Sequence, residues 1–214
     1  MRRFIARQAI YSPRGVLFGY ELLARLGPEN RFEHPDGDLA SCEMIDDVLG
    51  IFDLEALTDH RLAFINVTAS VLRSELVRRL PPQGVVLEVL ESVAPTPDVI
   101  AACRSLKRAG YRIALDDYSP CSELEPLLAL ADIVKIDFRC TPALDRAWLA
   151  GRLGGRAITL VAEKVETCAE YREAAELGYS LIQGHFLSRP EMLSAEEPAM
   201  VRRPTRGDRS TVGL

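Results

Sequence analysis

Two adjacent aspartates, Asp116 and Asp117, follow the apolar segment Arg112–Leu115 and come just before a Ser-Pro pair. The segment has the composition of a buried strand, so both carboxylates are expected where that strand ends. Two carboxylates about 4 Å apart repel each other by roughly 4 kcal/mol at an effective dielectric constant near 20. A cation, a bound proton or exposure to water must therefore offset the repulsion.

Polar side chains also stand at or near the carboxyl ends of the other apolar segments. These residues are Glu21 and Arg25, Asn66, Glu88 and Glu91, Lys135 and Asp137, Glu163 and Glu166, and Gln183. Strand ends that merely met polar loops would favour Ser, Thr or Gly, whereas this set is mainly acidic. If the strands are parallel, their carboxyl ends share one rim, where barrel enzymes place their active sites.

The expected rim is rich in oxygen ligands. Its acids are Glu21, Glu88, Asp116, Asp117 and Glu163, with Lys135 and Arg25 as opposing cations. Carboxylate oxygens with one Asn carbonyl suit a hard cation such as Mg²⁺ or Mn²⁺. The histidines, His34, His60 and His185, are too far apart in sequence to indicate a zinc site. An aspartate pair can hold two metal ions about 3.5–4 Å apart, an arrangement used for attack of water on a phosphodiester.

The elements that must position these residues are short apolar segments alternating with amphipathic ones. Helices are expected over about 39–57, 68–79, 96–109, 122–130, 142–153 and 166–177. Segments rich in Val, Ile and Leu that alternate with helices are typical of a parallel sheet buried on both faces. Eight such segments predict an α/β fold, a TIM-like (β/α)8 barrel. Only the turn YSPRG separates the first two segments, so an irregular, antiparallel first strand is expected.

Composition limits the classes of partner. The chain has 214 residues, 48% hydrophobic and 27% charged, with a net charge of −5, which argues against binding to a nucleic-acid polymer. No apolar segment approaches the roughly 20 residues that span a bilayer, and the amino terminus does not resemble a secretory signal. The five cysteines contain no C-x-x-C pair, as in reduced cytosolic proteins. We therefore predict a cytoplasmic protein without a membrane partner.

The domain organisation is simple. Residues 1–193 are expected to form the barrel domain. Residues 194–214 lose the apolar period and gain Pro, Gly and Arg, which predicts a flexible tail or a truncated linker.

The motifs together resemble the EAL-domain cyclic di-GMP phosphodiesterases over about residues 3–192. The motif that names the family is present as ELLAR, which contains Glu21 and Arg25. The segments FINVTAS, LEVLES, ALDD, VKID, VAEKVET and QGHFLSRP follow in the family's order, and Gln8 matches its opening glutamine. Each motif is weak alone, but the ordered set is specific.

The resemblance implies hydrolysis of cyclic di-GMP to linear pGpG with two Mg²⁺ or Mn²⁺ ions, and inhibition by Ca²⁺. It implies that one ion binds Glu21, Asn66, Glu88 and Asp116, and that the other binds Asp116, Asp117 and Glu163. Lys135 is expected to orient the attacking water, and Glu163 to assist as a base. Gln8, Arg25 and Gln183 are the expected substrate-binding residues, and Glu91 and Glu166 the supporting ones, with Glu91 anchoring the loop after Asp117.

Three departures from the family pattern bear on activity. Leu22 replaces the alanine of the naming motif, a change expected to affect packing only. Lys164 replaces a usual glycine, and its charge either points to solvent or perturbs the second metal ion. The loop YSPCSELEP is shorter than the family's Phe-Gly-Thr-Gly loop, which is associated with coupling dimer contacts to metal binding. A homodimer is therefore an expectation that this loop puts in question.

The segment GYELLAR, the short loop after Asp117 and the segment AEKVET together resemble the branch of the family in which an HDOD helical domain follows the barrel. A regulatory partner domain is therefore expected, and the chain is either an excised domain or a member that lacks it. The alternative function is a weak or inactive cyclic di-GMP receptor or a protein-interaction module. Members of that kind usually lack one or more acids, whereas this chain keeps all of them, which favours the hydrolase.

Overall fold

The computed structural model describes residues 2–28 and 36–197. Its strands are β1 (Arg2–Tyr11), β2 (Leu17–Arg25), β3 (Leu62–Val67), β4 (Val85–Val89), β5 (Arg112–Leu115), β6 (Ile133–Asp137), β7 (Thr159–Glu163), β8 (Leu181–Ile182) and β9 (Glu191–Glu196). Its α-helices are α1 (Gly37–Gly50), α2 (Leu54–Leu57), α3 (Ala69–Arg73), α4 (Pro97–Arg108), α5 (Glu125–Leu128), α6 (Ala143–Leu153) and α7 (Cys168–Glu176). Short 3₁₀ turns cover Val77–Arg79 and Ser122–Leu124.

The strands follow the order β2-β3-β4-β5-β6-β7-β8-β1-β9, and β1 also pairs with β2. The first eight strands therefore close into a barrel. Strands β2 to β8 are parallel to their sequence neighbours, whereas β1 is antiparallel to β2, β8 and β9. The predicted TIM-like barrel with an antiparallel first strand is confirmed.

Strand β9 is an element that the sequence analysis did not predict. It pairs with β1 from Arg2↔Glu196 to Arg7↔Glu191, outside the closed barrel. Its side chains are at most half-buried, so it carries little apolar periodicity. The boundary expected after residue 193 falls inside this strand, and the folded part continues through Glu196. Residues 198–214 of the expected tail lie outside the described residues.

Side-chain alternation inside the barrel determines where the polar groups lie. An apolar layer fills the interior, made of Ile10, Phe64, Val86, Ala114, Ile133, Val161 and Leu181. Side chains two residues apart on a strand share a face, so the next inward position on β3 to β8 lies closer to the carboxyl rim. Those positions hold Asn66, Glu88, Asp116, Lys135, Glu163 and Gln183. The carboxyl end of the barrel interior is therefore polar above an apolar floor.

A close approach between strands β2 and β3 requires a glycine. A Cβ atom on Gly19 would lie 2.6 Å from the Leu62 carbonyl oxygen and 3.3 Å from the Phe64 ring. Only glycine lets β2 pack here while Phe64 fills the interior. Glu21 follows two residues later on the same inward face of β2.

The helices surround the barrel largely as expected, with three exceptions in their continuity. One is the expected helix over 122–130, which is a 3₁₀ turn followed by the short helix α5. The expected helix over 39–57 is divided into α1 and α2, because Asp53 caps a new helix through its bond with the Glu55 amide. The expected helix over 68–79 is α3 followed by a 3₁₀ turn. In the part of the chain that the structure describes, no helix has the length and apolar character needed to cross a bilayer.

Candidate active site

A buried lysine lies at the centre of the polar layer. Lys135 is 1% exposed, and its Nζ atom lies 2.7 Å from Glu163 Oε1, 3.1 Å from Asp116 Oδ1 and 3.5 Å from Glu21 Oε2. It also donates a hydrogen bond to Glu88 Oε1. These carboxylates come from β2, β4 and β7 and from the end of β5, so four acids that are distant in sequence face one ammonium group.

Burial and mutual repulsion set the protonation behaviour of this group. Burial raises the pKa of Glu88 and Glu163 well above the usual carboxyl value, and the charge of Lys135 only partly opposes the increase. Burial would also raise the pKa of Asp116, but the charge and hydrogen bond of Lys135 outweigh it and hold that pKa low. Burial would lower the pKa of Lys135, yet the four carboxylates raise it well above normal. Lys135 is therefore an ammonium donor without a free lone pair.

Amide side chains orient Glu21 from the opposite side. Gln183 Nε2 donates to Glu21 Oε2 at 2.7 Å and lies 3.4 Å from Gln8 Oε1. Asn66 Nδ2 donates to Glu21 Oε1 at 3.4 Å. Gln8 and Glu21 are also direct partners in the register of β1 and β2. The hydrogen bonds leave the carbonyl oxygens of Asn66 and Gln183 for other partners.

Several oxygen atoms in this pocket fit a divalent cation. Asn66 Oδ1, Glu88 Oε2, Glu163 Oε2 and Gln183 Oε1 are buried and have no hydrogen-bond donor among the described residues. A buried acceptor without a partner costs about 1–3 kcal/mol. Four carboxylates around one ammonium also leave an excess of negative charge. A hard cation with oxygen ligands would satisfy both the orphaned atoms and the excess charge.

Asp117 has a different environment from Asp116. Both of its carboxylate oxygens accept hydrogen bonds from Lys164 Nζ, at 3.1 and 3.0 Å, and the same ammonium lies 2.5 Å from Asp137 Oδ2. Oxygen atoms of Glu91, Asp116 and Asp117 lie within 4.8 Å of one another. The structure therefore brings Asp117 and Glu91 beside the buried set, with Asp117 already paired to a lysine.

The backbone explains how Lys164 reaches this position. Asp117 has a φ of 41° and Lys164 a φ of 53°, so both strand ends turn through the left-handed region. Aspartate adopts that region more readily than lysine, and glycine most readily of all. The glycine expected at position 164 from the family resemblance fits this conformation. With lysine there, the backbone directs an ammonium group toward the pocket.

The turn that carries Lys164 is fixed by the segment that follows β8. A Cβ atom on Gly184 would lie 2.1 Å from the Val165 carbonyl oxygen. Val165 also exchanges backbone hydrogen bonds with its neighbours, its amide donating to the Gln183 carbonyl at 3.1 Å and its carbonyl accepting from the Phe186 amide at 3.1 Å. Gly184 is therefore required for the close packing that holds this turn.

The cavity above the buried set has a volume of about 320 Å³. Gln8, Glu21, Asp116, Lys135, Glu163 and Gln183 line its depth, and Asp117, Arg139, Lys164, Glu166 and His185 also line it. Glu166, predicted as a supporting residue, accepts a hydrogen bond from Arg139 Nη1 at 3.3 Å. Most of the predicted acids, Lys135 and the two glutamines thus meet around one space, whereas Asn66, Glu88 and Glu91 do not line it.

Arg25 lies apart from this cavity. Its Nη1 atom donates to the Ala24 carbonyl at 2.8 Å, and its side chain lines a separate cavity with Arg3 and Met44. Burial lowers the pKa of Arg25, although the charge of Glu21 opposes the change. Leu22, the substitution in the naming motif, is buried in the outer core, as its expected packing role requires.

Sequence reasoning assigned no role to two residues near the cavity. It placed Asp137 at the end of its apolar segment without a function, and it did not consider Arg139. Asp137 shares the inward face of β6 with Lys135, so the same alternation could have identified it. Its Oδ1 atom accepts from the backbone amides of Arg139 at 2.6 Å and Cys140 at 3.2 Å. Arg139 stands in the turn after β6, where no periodic signal marks it.

The fold and site define a TIM-like α/β barrel with an acidic, oxygen-rich pocket at the carboxyl ends of its strands. The model of the EAL domain family matches residues 4–190. The chain belongs to the EAL domain family.

Two curated relatives show how the chain compares with longer proteins. It is 38% identical over 202 residues to the uncharacterised protein YuxH of Bacillus subtilis, covering 92% of this chain and 49% of that protein. It is 36% identical over 198 residues to the cyclic di-GMP phosphodiesterase CdgJ of Vibrio cholerae, covering 89% of this chain and 45% of that protein. The chain thus spans about half the length of these relatives.

Solved structures support the fold. A Klebsiella pneumoniae BlrP1 structure, described as a complex with manganese and cyclic di-GMP, has a TM-score of 0.70 at 24% identity, over 91% of this chain and 60% of that one. The Bacillus subtilis YkuI structure, described as a complex with cyclic di-GMP and calcium, has a TM-score of 0.67 at 19% identity. The match covers 87% of this chain and 55% of that one.

Proposed function

We propose that the chain hydrolyses cyclic di-GMP to linear pGpG with two divalent cations, Mg²⁺ or Mn²⁺. The observation that carries this proposal is the convergence of Glu21, Glu88, Asp116 and Glu163 on Lys135 at the carboxyl rim of an EAL barrel. The curated relative CdgJ, described as a cyclic di-GMP phosphodiesterase, supports the choice of substrate. The two solved EAL structures described with cyclic di-GMP and a divalent metal support it further.

The proposed cation ligands are those that the resemblance to the family implies. In the proposed arrangement, one cation binds Glu21, Asn66, Glu88 and Asp116, and the other binds Asp116, Asp117 and Glu163. The orphaned oxygens of Asn66 and Glu88 support the first of these positions. When bound, such cations neutralise phosphodiester charge and lower the pKa of water, which favours attack near neutral pH.

Lys135 and Glu163 act together on the attacking water. Lys135 is a fixed ammonium donor that offsets carboxylate charge and can orient the water by a hydrogen bond. Glu163 has Oε1 on Lys135 and a buried Oε2 without a donor among the described residues, so Oε2 is the acceptor for the proton of the water. The water oxygen bonds to phosphorus and the phosphorus–O3′ bond breaks. The departing 3′ oxygen takes up a proton from solvent, and Glu163 returns the proton of the attacking water to solvent.

The remaining predicted residues act on the substrate or support the site. Gln8 and Gln183 line the cavity and can hydrogen-bond the nucleotide. Arg25, an expected substrate-binding residue, would contact a phosphate of the substrate. This contact requires the guanidinium group to leave the Ala24 carbonyl. Arg139, at the cavity surface, adds positive charge that attracts an anionic substrate. Glu166 positions Arg139 through their ion pair, and Glu91 supports the loop after Asp117.

A receptor is the second candidate, because both oxygens of Asp117 are bonded to Lys164. A pocket that cannot complete its second cation position would bind cyclic di-GMP without rapid hydrolysis. Incubating the purified chain with cyclic di-GMP and Mn²⁺, with and without a chelator, separates the two functions. We expect pGpG in Mn²⁺ and none with chelator. Binding without pGpG would establish the receptor, and neither binding nor pGpG would contradict both functions.

A further inference from the structure

The sequence has three lysines among its 26 basic residues, and two of them, Lys135 and Lys164, line the same cavity. Lys135 faces four carboxyl groups, those of Glu21, Glu88, Asp116 and Glu163. Lys164 faces two, those of Asp117 and Asp137. A divalent cation therefore finds fewer acids for each ammonium group on the Asp117 side of the cavity.

Hydrogen bonding shows the same asymmetry. We call the residues around Lys135 the inner set: Glu21, Asn66, Glu88, Asp116, Glu163 and Gln183. This set contains buried carboxylate and amide oxygens that lack a donor among the described residues. Both oxygens of Asp117, by contrast, accept from Lys164 Nζ at 3.1 and 3.0 Å. A cation on the inner set gains unused ligands, whereas a cation that uses Asp117 must first displace an ammonium group.

Asp137 holds Lys164 near the pocket during such a displacement. Its Oδ1 atom is bonded to the backbone amides of Arg139 and Cys140, and its Oδ2 atom accepts from Lys164 at 2.5 Å. The Asp137 carboxylate is thus fixed by the turn after β6. Lys164 can release Asp117 and keep Asp137, so its side chain need not return to solvent.

We propose, on the basis of the proposed function, that Lys164 is a tethered cation that competes with a divalent cation for Asp117. The two cation positions then have unequal affinities: the position made by Glu21, Asn66, Glu88 and Asp116 fills first. The position that needs Asp117 fills only at a higher cation concentration. Because hydrolysis requires both cations, Lys164 sets the concentration of Mg²⁺ or Mn²⁺ at which the enzyme becomes active.

Calorimetric titration of the whole chain with Mn²⁺, without cyclic di-GMP, tests this proposal directly. Lys164→Met removes the charge and keeps a similar stem, whereas Lys164→Arg keeps the charge. Lys107→Met is the matched control, because Lys107 pairs with Asp132 just before β6, away from the cavity. We expect two binding events in the native chain, with dissociation constants at least about tenfold apart, because a nearby like charge weakens cation binding.

Lys164→Met should tighten the weaker event about tenfold or more, whereas Lys164→Arg and Lys107→Met should leave it weak. An unchanged weaker event in Lys164→Met, or two equally tight events in the native chain that still forms pGpG, would overturn the role of Lys164 and leave the proposed function intact. The absence of any Mn²⁺ binding would overturn both.

Circular dichroism and thermal unfolding establish that each variant is folded. Lys164→Gly, which relieves the left-handed backbone, gives a second charge-free variant with the same expected result.

Discussion

At the scale of single residues, Lys135 is the one buried basic side chain that contacts the acids of the inner set within the described ranges. Its position followed from the alternation of Val134 and Ile136, which point away from the barrel interior. The sequence also predicted that Glu21, Glu88, Asp116, Asp117 and Glu163 would converge; four of these acids contact Lys135. Asp117 contacts Lys164 instead. It assigned no role to Asp137, although the same alternation places this residue on the inward face. It also did not predict that Arg25 would line another cavity, because tertiary packing decides the direction of a long side chain at the end of a strand.

Lys135→Ala should lower the rate of pGpG formation by about 10²-fold or more, the scale expected for losing a positioned electrostatic group. Binding of cyclic di-GMP in Ca²⁺ should persist, because the ligand set for cations remains. A turnover assay and calorimetry on the same variant measure both effects, with Lys107→Ala as the matched control. Unchanged turnover would remove Lys135 from catalysis, and a joint loss of binding would make it a substrate-holding or structural residue.

At the scale of elements, the sequence predicted the strands that carry the site better than those that do not. Strands β3 to β7 are buried, and their apolar composition identifies them directly. Strand β9 is half-exposed and pairs only with β1, so its sequence, EMLSAE, lacks the signal of a buried strand. The break between α1 and α2 depends on a capping bond of Asp53, which competes with helix continuation locally.

The contact between the segment that follows β8 and the turn after β7 makes a sharp prediction about stability. Gly184→Ala should destabilise the protein by about 1–3 kcal/mol, because the added methyl would meet the Val165 backbone. Gly151→Ala is the matched control: nothing lies within 4 Å of a Cβ atom there, and alanine in helix α6 should stabilise by about 0.5–1 kcal/mol. Denaturant unfolding followed by circular dichroism measures both. Equal stability of Gly184→Ala and the native chain would contradict the packing described for this turn.

At the scale of the whole molecule, the homodimer that the family resemblance implies would form near the loop after Asp117. Beside that loop, Tyr118, Ser119 and Pro120 line a cavity together with Trp148 of α6. Trp148 is 50% exposed and Leu144 on the same helix is 85% exposed, which is unusual for large apolar side chains clustered on one face. These features support a contact surface here.

Light scattering should therefore show a dimer of the native chain. Trp148→Glu should shift it toward the monomer, because the variant would bury an unpaired charge at the contact. Val16→Glu, at an exposed residue of the turn before β2, provides the matched control. A native chain that is monomeric at full activity would remove dimerisation from the mechanism.

The regulatory partner domain that the family resemblance implies stays a prediction. The chain spans about half the length of its curated relatives.

The central claim is hydrolysis by a pair of cations that share Asp116. Asp116→Asn keeps the size of the side chain but removes the shared charge. The most direct measurement is the rate of pGpG formation from cyclic di-GMP in Mn²⁺, for the native chain and for Asp116→Asn, with Mn²⁺ binding recorded on the same samples. We predict pGpG from the native chain, and loss of both hydrolysis and one cation-binding event in Asp116→Asn. An Asp116→Asn variant that retains most of its activity would contradict the two-cation account.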